Sequence, residues 1–418
     1  MTKEEALSLE INAGMDMVML AVTNWDIDIK WFQDTMRTLI ANKEIDMDRI
    51  DNAVMRILAV KLAYGLVKKG SSKQMFNEDF TAERVAYMDA HNPSEFENAW
   101  EATLNAAQQS LVLLKNEKEL LPLQTDKVKY VVMIGERTIE QIYDGASSRI
   151  NTVYQDFNNI GAQNGGWALR WQGFEGNQYW EGDFKEQSHA TSLLDAVSSR
   201  VDSKSVLHPT YADPTDMDEV QQKRNDFIKQ LESMKGDMTA ENTVVVGVLA
   251  ESPYSEFMGD INNPYCVTGP WCMYWTHGNA YLPDTQKVTL DIGYDDYSKQ
   301  VLSTLGDNIP LVTFLISGRP MLVKDSLDSS KAFVAAWLPG TSGGEAMGSA
   351  LFGDYLFRGG DDNSQANTLP VQWLSGMESL EHYPDYFEDG SAPSIKNPLF
   401  ELGYGLATKP KSPSLESE

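Results

Sequence analysis

The chain has 418 residues, 42 % hydrophobic and 23 % charged. At roughly 150 residues per domain this composition predicts two or three globular domains and excludes a disordered, collagen-like or coiled-coil protein. Lys and Arg number 34 against 61 Asp and Glu, leaving a net charge of −27, which repels phosphate backbones and excludes non-specific nucleic-acid binding while leaving neutral sugars and cations open as ligands.

Residues 4–12 have a helical pattern, and MDMVML (15–20) is a short apolar run. A second helix is predicted over 28–40, where Ile29, Phe32, Met36, Leu39 and Ile40 form one apolar face. Asp46 suits the N-cap of a third helix, in which Ile50, Val54, Ile57, Leu58 and Leu62 recur mostly every three or four residues before Gly65 stops it. Residues 1–66 are therefore almost all helix, without the matched faces of a closed bundle. They read as the end of a larger domain, with apolar faces left open. A polar, irregular linker over 67–96 follows.

From 97 a helix leads into SLVLLKN, and Leu120–Leu123 reads as a short extended piece. The pattern then changes. YVVMIG (130–135), TVVVGVLA (243–250), IPLVTFLIS (309–317) and AFVAAWLPG (332–340) are near-continuous apolar strands, and helical stretches at 191–200, 217–235 and 296–306 separate several of them. That alternation predicts an α/β domain over 97–407, with a mostly parallel sheet covered by helices on both faces. The tail 408–418, rich in Pro, Ser and Lys, is expected to be disordered.

Ligands of such sheets bind beyond the carboxyl ends of the strands, so the residues just after each strand are the ones to inspect. Glu251 and Glu256 follow the 243–250 strand. Trp167 and Trp171 stand in NGGWALRWQG. Their rings suit stacking against the apolar face of a sugar, and core packing is the plain alternative. Cys266 and Cys272 could close a short disulfide in an oxidising compartment or remain two thiols. Neither they nor His277 has the partners of a metal site, and no cofactor is expected. A phosphate-binding GxxxxGK[ST] loop does not occur in the sequence. No apolar run reaches membrane-spanning length, and the first residues, MTKEEALSLEINAG, contain no apolar signal core.

Several phrases, in order, resemble the family 3 glycoside hydrolases, the β-glucosidase and exo-β-glucanase group. They are AGMDMVML (13–20), RIDNAVMRILAVKLAYGL (49–66), SLVLLKNEKELLPL (110–123), IGAQNGGWALRWQGFEGN (160–177), ESPYSEFMGD (251–260), SGRP (317–320) with AFVAAWLPGTSGGEAMGSALFGD (332–354), and NPLFELGYGLA (397–407). The resemblance implies a (β/α)8-type barrel followed by an α/β sandwich, and a retaining mechanism on β-linked glucosides or glucans. Its nucleophile is an aspartate in an SDW-like motif upstream of the AGxDM phrase. Here AGMDM begins at residue 13 and SDW does not occur. The barrel's sugar-holding lysine, histidine and arginine also have no counterpart. The chain is thus expected to hold the last helices of the barrel (1–66) and the sandwich (97–407), without the nucleophile.

Carried over by motif, Glu256 of the PYxE phrase is the acid/base and Glu251 the second candidate. Glu251 could equally be a structural acceptor. Trp171, with Trp167, forms the outer sugar platform. Asp16 and Glu345 are expected to be mainly structural, and Asp156 lies in the region of an aspartate that precedes the GGW phrase in the family. Residues 261–288, which contain both cysteines, read as an insertion behind the acid/base. Two further readings stand beside that of a glycosidase portion: a noncatalytic carbohydrate-binding or structural module, and one chain of a two-chain enzyme. The expected partners are a β-glucoside or glucan and the absent barrel portion, or a second copy meeting the open helices. Relatives are often periplasmic or extracellular.

Overall fold

The computed structural model describes residues 2–20, 25–66, 99–142, 149–164, 190–251, 290–359, 367–376 and 397–411. Two compact units divide the chain, 1–96 and 97–418.

Within the first unit, α1 (Lys3–Asn12) begins on a capping box. Thr2 Oγ1 accepts the Glu5 N–H at 3.1 Å, and the Glu5 carboxylate accepts the Thr2 N–H at 2.7 Å. Two donors that a helix start leaves without partners are thereby satisfied. Next come α2 (Trp25–Ala41) and α3 (Met47–Ala63). Asp46 does stand at the N-cap of α3, but its side chain makes no cap hydrogen bond. Leu7, Ile11, Leu39 and Ile45 are buried together, with Trp31, Phe32, Met36 and Ile50 packed on them. The apolar run at 15–20 forms no strand, and Met15, Met17 and Met19 are exposed. Asp16 in that run accepts from Arg49 Nη2 at 2.8 Å, while Arg49 Nε donates to the Ile11 carbonyl at 2.7 Å. The Arg49 hydrogen bond, supplemented by Arg56, holds the Asp16 carboxyl below the usual carboxylate range. On α3, Val54, Leu58 and Leu62 form a stripe at four-residue spacing, and all three are exposed.

In the second unit a helix over 99–110 (α4) ends on Ser110, the first residue of SLVLLKN. Residues Val112–Asn116 of that phrase form strand β1 instead. Then come β2 (Tyr130–Ile134), a hairpin of β3 (Glu136–Ile142) and β4 (Arg149–Gln155), α5 (Ile160–Asn164), α6 (Leu193–Ser198) and β5 (Val206–Leu207). The remaining elements are α7 (Met217–Met234), β6 (Thr243–Ala250), α8 (Asp296–Leu305), β7 (Leu311–Ile316), α9 (Lys324–Ser329), β8 (Ala332–Trp337) and α10 (Gly343–Phe352). The six-stranded sheet has the order β1-β8-β7-β6-β2-β5, parallel throughout except for β1 against β8.

Alternate residues of each strand feed opposite cores, as the two-residue side-chain period requires. Val131, Met133, Val246, Phe314 and Val334 pack with Phe157, Leu193, Met347 and Leu351 on one face. Val132, Val245, Leu315 and Phe333 pack with Phe227, Leu231, Val301 and Trp373 on the other. The result is the mostly parallel α/β/α sandwich that the apolar strands predicted. At residues 408–411, where the expected tail begins, two hydrogen bonds tie the chain to the domain: Phe357 N–H donates to Thr408 Oγ1 at 3.0 Å, and Lys411 Nζ donates to the Leu120 carbonyl at 2.9 Å. The linker 67–96, the insertion 261–288 and residues 412–418 lie outside the described residues. Among the described residues no helix is long and apolar enough to cross a membrane.

Candidate functional site

Strand order locates the site. From β2 the sheet grows through β5 on one side, and the chain then returns to lay β6, β7 and β8 on the other. A crevice opens where connections diverge in this way, beyond the carboxyl ends of β2 and β6. A small depression lies there, lined by Gly135–Arg137, Asp156, Val248–Ala250 and Ile292–Tyr294.

The two strands reach this point differently. β2 pairs with β6 only as far as Ile134 opposite Gly247. Gly135, at φ +116°, then turns the chain into the β3–β4 hairpin, and a Cβ there would stand 2.0 Å from the Val248 carbonyl oxygen. Only glycine fits both constraints. β6 runs on beside β7 as far as Ala250 opposite Ile316.

Three carboxylates surround this end of the sheet, and each is engaged by protein donors. Asp156 is 2 % exposed. Its oxygens lie 2.8 and 2.9 Å from Arg137 Nε, and Oδ2 also accepts the Ala250 N–H at 3.3 Å. Glu136, 4 % exposed, accepts from Arg224 Nε and Nη2 at 3.0 and 2.7 Å, from the Tyr211 hydroxyl at 2.7 Å and from Gln155 Nε2 at 3.1 Å. The Arg224 guanidinium also covers the Tyr297 ring, 4.9 Å from its centroid. Burial, followed by the Glu136 charge, pushes the Tyr211 and Tyr297 phenols far above their ordinary range, so both stay neutral.

Glu251 follows directly on β6, with its side chain 8 % exposed. Oε1 takes Arg319 Nε at 2.7 Å and Nη2 at 2.6 Å, and Oε2 takes the Ser317 hydroxyl at 2.6 Å. Its N–H donates to the Ile316 carbonyl at 2.8 Å. Of the two readings the sequence left open for Glu251, this geometry favours the structural acceptor. Glu345 is likewise held in pairs: Arg200, which it faces, also reaches Asp354 at 2.8 Å.

Glu256, Trp167, Trp171, Cys266, Cys272 and His277 lie outside the described residues. Among those described, no group of three or more His, Cys, Asp or Glu side chains is arranged to hold a metal ion. The Glu136–Arg224–Tyr211 cluster escaped the sequence reading. Its members are far apart in the chain, and Glu136 opens a polar hairpin that the strand pattern does not mark.

A family model described as the glycosyl hydrolase family 3 C-terminal domain matches residues 111–408. The lysosomal beta glucosidase of Dictyostelium discoideum is 24 % identical over 408 residues, which cover 97 % of this chain and 39 % of that protein. A beta-xylosidase of Formosa agariphila is 23 % identical over 411 residues, covering 97 % of this chain and 45 % of its own length. Among solved structures, a β-glucosidase from Erythrobacter marinus is 18 % identical, covers 97 % of this chain and 45 % of that one, and matches with a TM-score of 0.52. At that identity the likeness is one of fold. The chain spans less than half the length of these relatives.

Proposed function

This chain belongs to glycosyl hydrolase family 3, and on that premise we propose that it supplies the acid/base carboxylate, Glu256, of a retaining β-glucosidase or exo-β-glucanase that releases glucose. The observation that carries the reading is the course of β6. The strand ends beside the crevice between diverging connections, and the PYSE phrase follows it at once, with Glu256 five residues past Glu251. The names of the relatives support the substrate class.

In such a reaction one carboxylate attacks the anomeric carbon, and a carboxylic acid about 5–5.5 Å away protonates the departing oxygen. The same residue then takes a proton from water, which releases the sugar from the enzyme. Glu256 fills this second role. Trp171 and Trp167 stack on the sugar and exclude water. The attacking aspartate comes from a barrel portion outside these 418 residues, since no SDW phrase stands among them.

Two measurements test the proposal. The 418-residue chain alone should hydrolyse an aryl β-glucoside no faster than buffer, and turnover by this chain would refute an external nucleophile. In the active enzyme, with the nucleophile-bearing portion present, Glu256→Gln should lower kcat/KM for an alkyl glucoside about 10²- to 10⁴-fold, the usual worth of a general acid. Bond cleavage in the 2,4-dinitrophenyl glucoside, whose leaving group needs no proton, should be nearly unchanged. Equal losses on both substrates would remove Glu256 from the role.

A further inference from the structure

β6 runs three residues beyond its last partner in β2, since Ile134 faces Gly247 and the strand continues to Ala250. An N–H on the β2 side of that overhang has lost its ladder and cannot be left buried without an acceptor. Asp156 replaces the missing strand. Its own N–H is anchored on the Gly135 carbonyl at 2.9 Å, and its Oδ2 accepts the Ala250 N–H at 3.3 Å. Arg137 Nε, within 2.9 Å of both Asp156 oxygens, compensates the buried charge. On the β7 side the next residue is held as firmly. The Glu251 N–H meets Ile316, and its carboxylate meets Arg319 and Ser317. Consecutive residues at the end of β6 are thus gripped from opposite sides by groups drawn from three separate parts of the chain.

We infer that Asp156 and Glu251 are positioning residues for the acid/base. Together they fix the place and direction in which the chain leaves β6 to enter the PYSE phrase. The inference rests on the role proposed for Glu256. Neither carboxylate touches the substrate in this scheme. A general acid works only within hydrogen-bond reach of the departing oxygen, and an error of about 1 Å in placement can cost about a hundredfold in rate.

The test uses the active enzyme and the same two leaving groups. Glu251→Gln and Asp156→Asn keep shape but weaken the charged pairs. Each should lower kcat for the alkyl glucoside roughly ten- to a hundredfold while leaving its KM and the cleavage of the dinitrophenyl glucoside nearly unchanged. Arg319→Lys should give a milder version of the same split, because it keeps the charge and loses the forked donors. Should Glu251→Gln fail to fold, Asp156→Asn and Arg319→Lys carry the test. Equal losses on both substrates, in proportion to lost folded protein, would show a merely structural role and overturn the inference. If Glu256→Gln itself shows no split, the role of Glu256 falls first, and the positioning role falls with it.

Discussion

The buried pair beside the crevice allows a quantitative test of the packing argument. Glu136 has four donors, two of them from Arg224 at 3.0 and 2.7 Å, and side-chain exposure is 1 % for Glu136 and 15 % for Arg224. Arg224→Met keeps an unbranched side chain of similar reach but loses the guanidinium that covers Tyr297, and it leaves a buried carboxylate with only Tyr211 and Gln155. Hydrogen bonds to a charged group contribute about 1.5–3 kcal/mol each, so two lost bonds amount to about 3–6 kcal/mol before relief of the Arg224 desolvation is counted. Breaking one side of a buried pair typically costs about 3–5 kcal/mol, and that is the expected loss. Adding Glu136→Gln removes the stranded charge and keeps an acceptor for Tyr211. The double variant should therefore recover at least about 2 kcal/mol of the deficit. Urea unfolding read through hydrogen exchange of the Thr243–Ala250 amides is the suitable assay, because that wholly buried strand reports on this unit and not on residues 1–96. A single variant within about 1 kcal/mol of the parent, or a double variant less stable than Arg224→Met alone, would refute the reasoning.

Two other outcomes follow from the packing. Gly247 lies mid-strand under Tyr294, and an added Cβ would stand 2.1 Å from the tyrosine hydroxyl, which is bonded to Thr313 at 2.7 Å. Gly247→Ala should therefore cost about 2–4 kcal/mol, from overpacking and the lost hydrogen bond together, and Tyr294→Leu should restore part of it. An unaffected unfolding midpoint would mean that the ring does not occupy this place. The exposed stripe of Val54, Leu58 and Leu62 on α3 should make the 418-residue chain self-associate in sedimentation experiments, and Leu58→Glu should reverse this. A monodisperse parent chain would count against it.

How far the sequence could be read depended on burial. β6 coincides with the apolar run 243–250, and β2, β7 and β8 fall within theirs, because strands covered on both faces need apolar residues at every position. Strand β5 has two residues, too few to show any period. β1 continues directly from α4, and SLVLLKN suits a helix end as well as an edge strand, so tertiary pairing with β8 decides it. Alternation is blunted in the β3–β4 hairpin by Glu, Arg, Gln and Thr, and what positions it is an interaction across the fold, the hold of Asp156 on Ala250.

The site divides along the same line. Residues suited to touch a sugar, Trp167, Trp171 and Glu256, stand in short phrases that can be recognised locally. Those that hold the strand ends in place pair over long separations: Glu251 with Arg319, Glu136 with Arg224, and Asp156 with the end of β6. A carboxylate at a strand end looks the same in sequence whether it reacts or holds. Only its donors distinguish the two, and at Glu251 the forked guanidinium and the Ser317 hydroxyl already occupy both oxygens. A reactive acid must keep an oxygen available for the departing group. That requirement speaks against Glu251 as the acid, and it is consistent with the proposal of Glu256, the next carboxylate of the phrase.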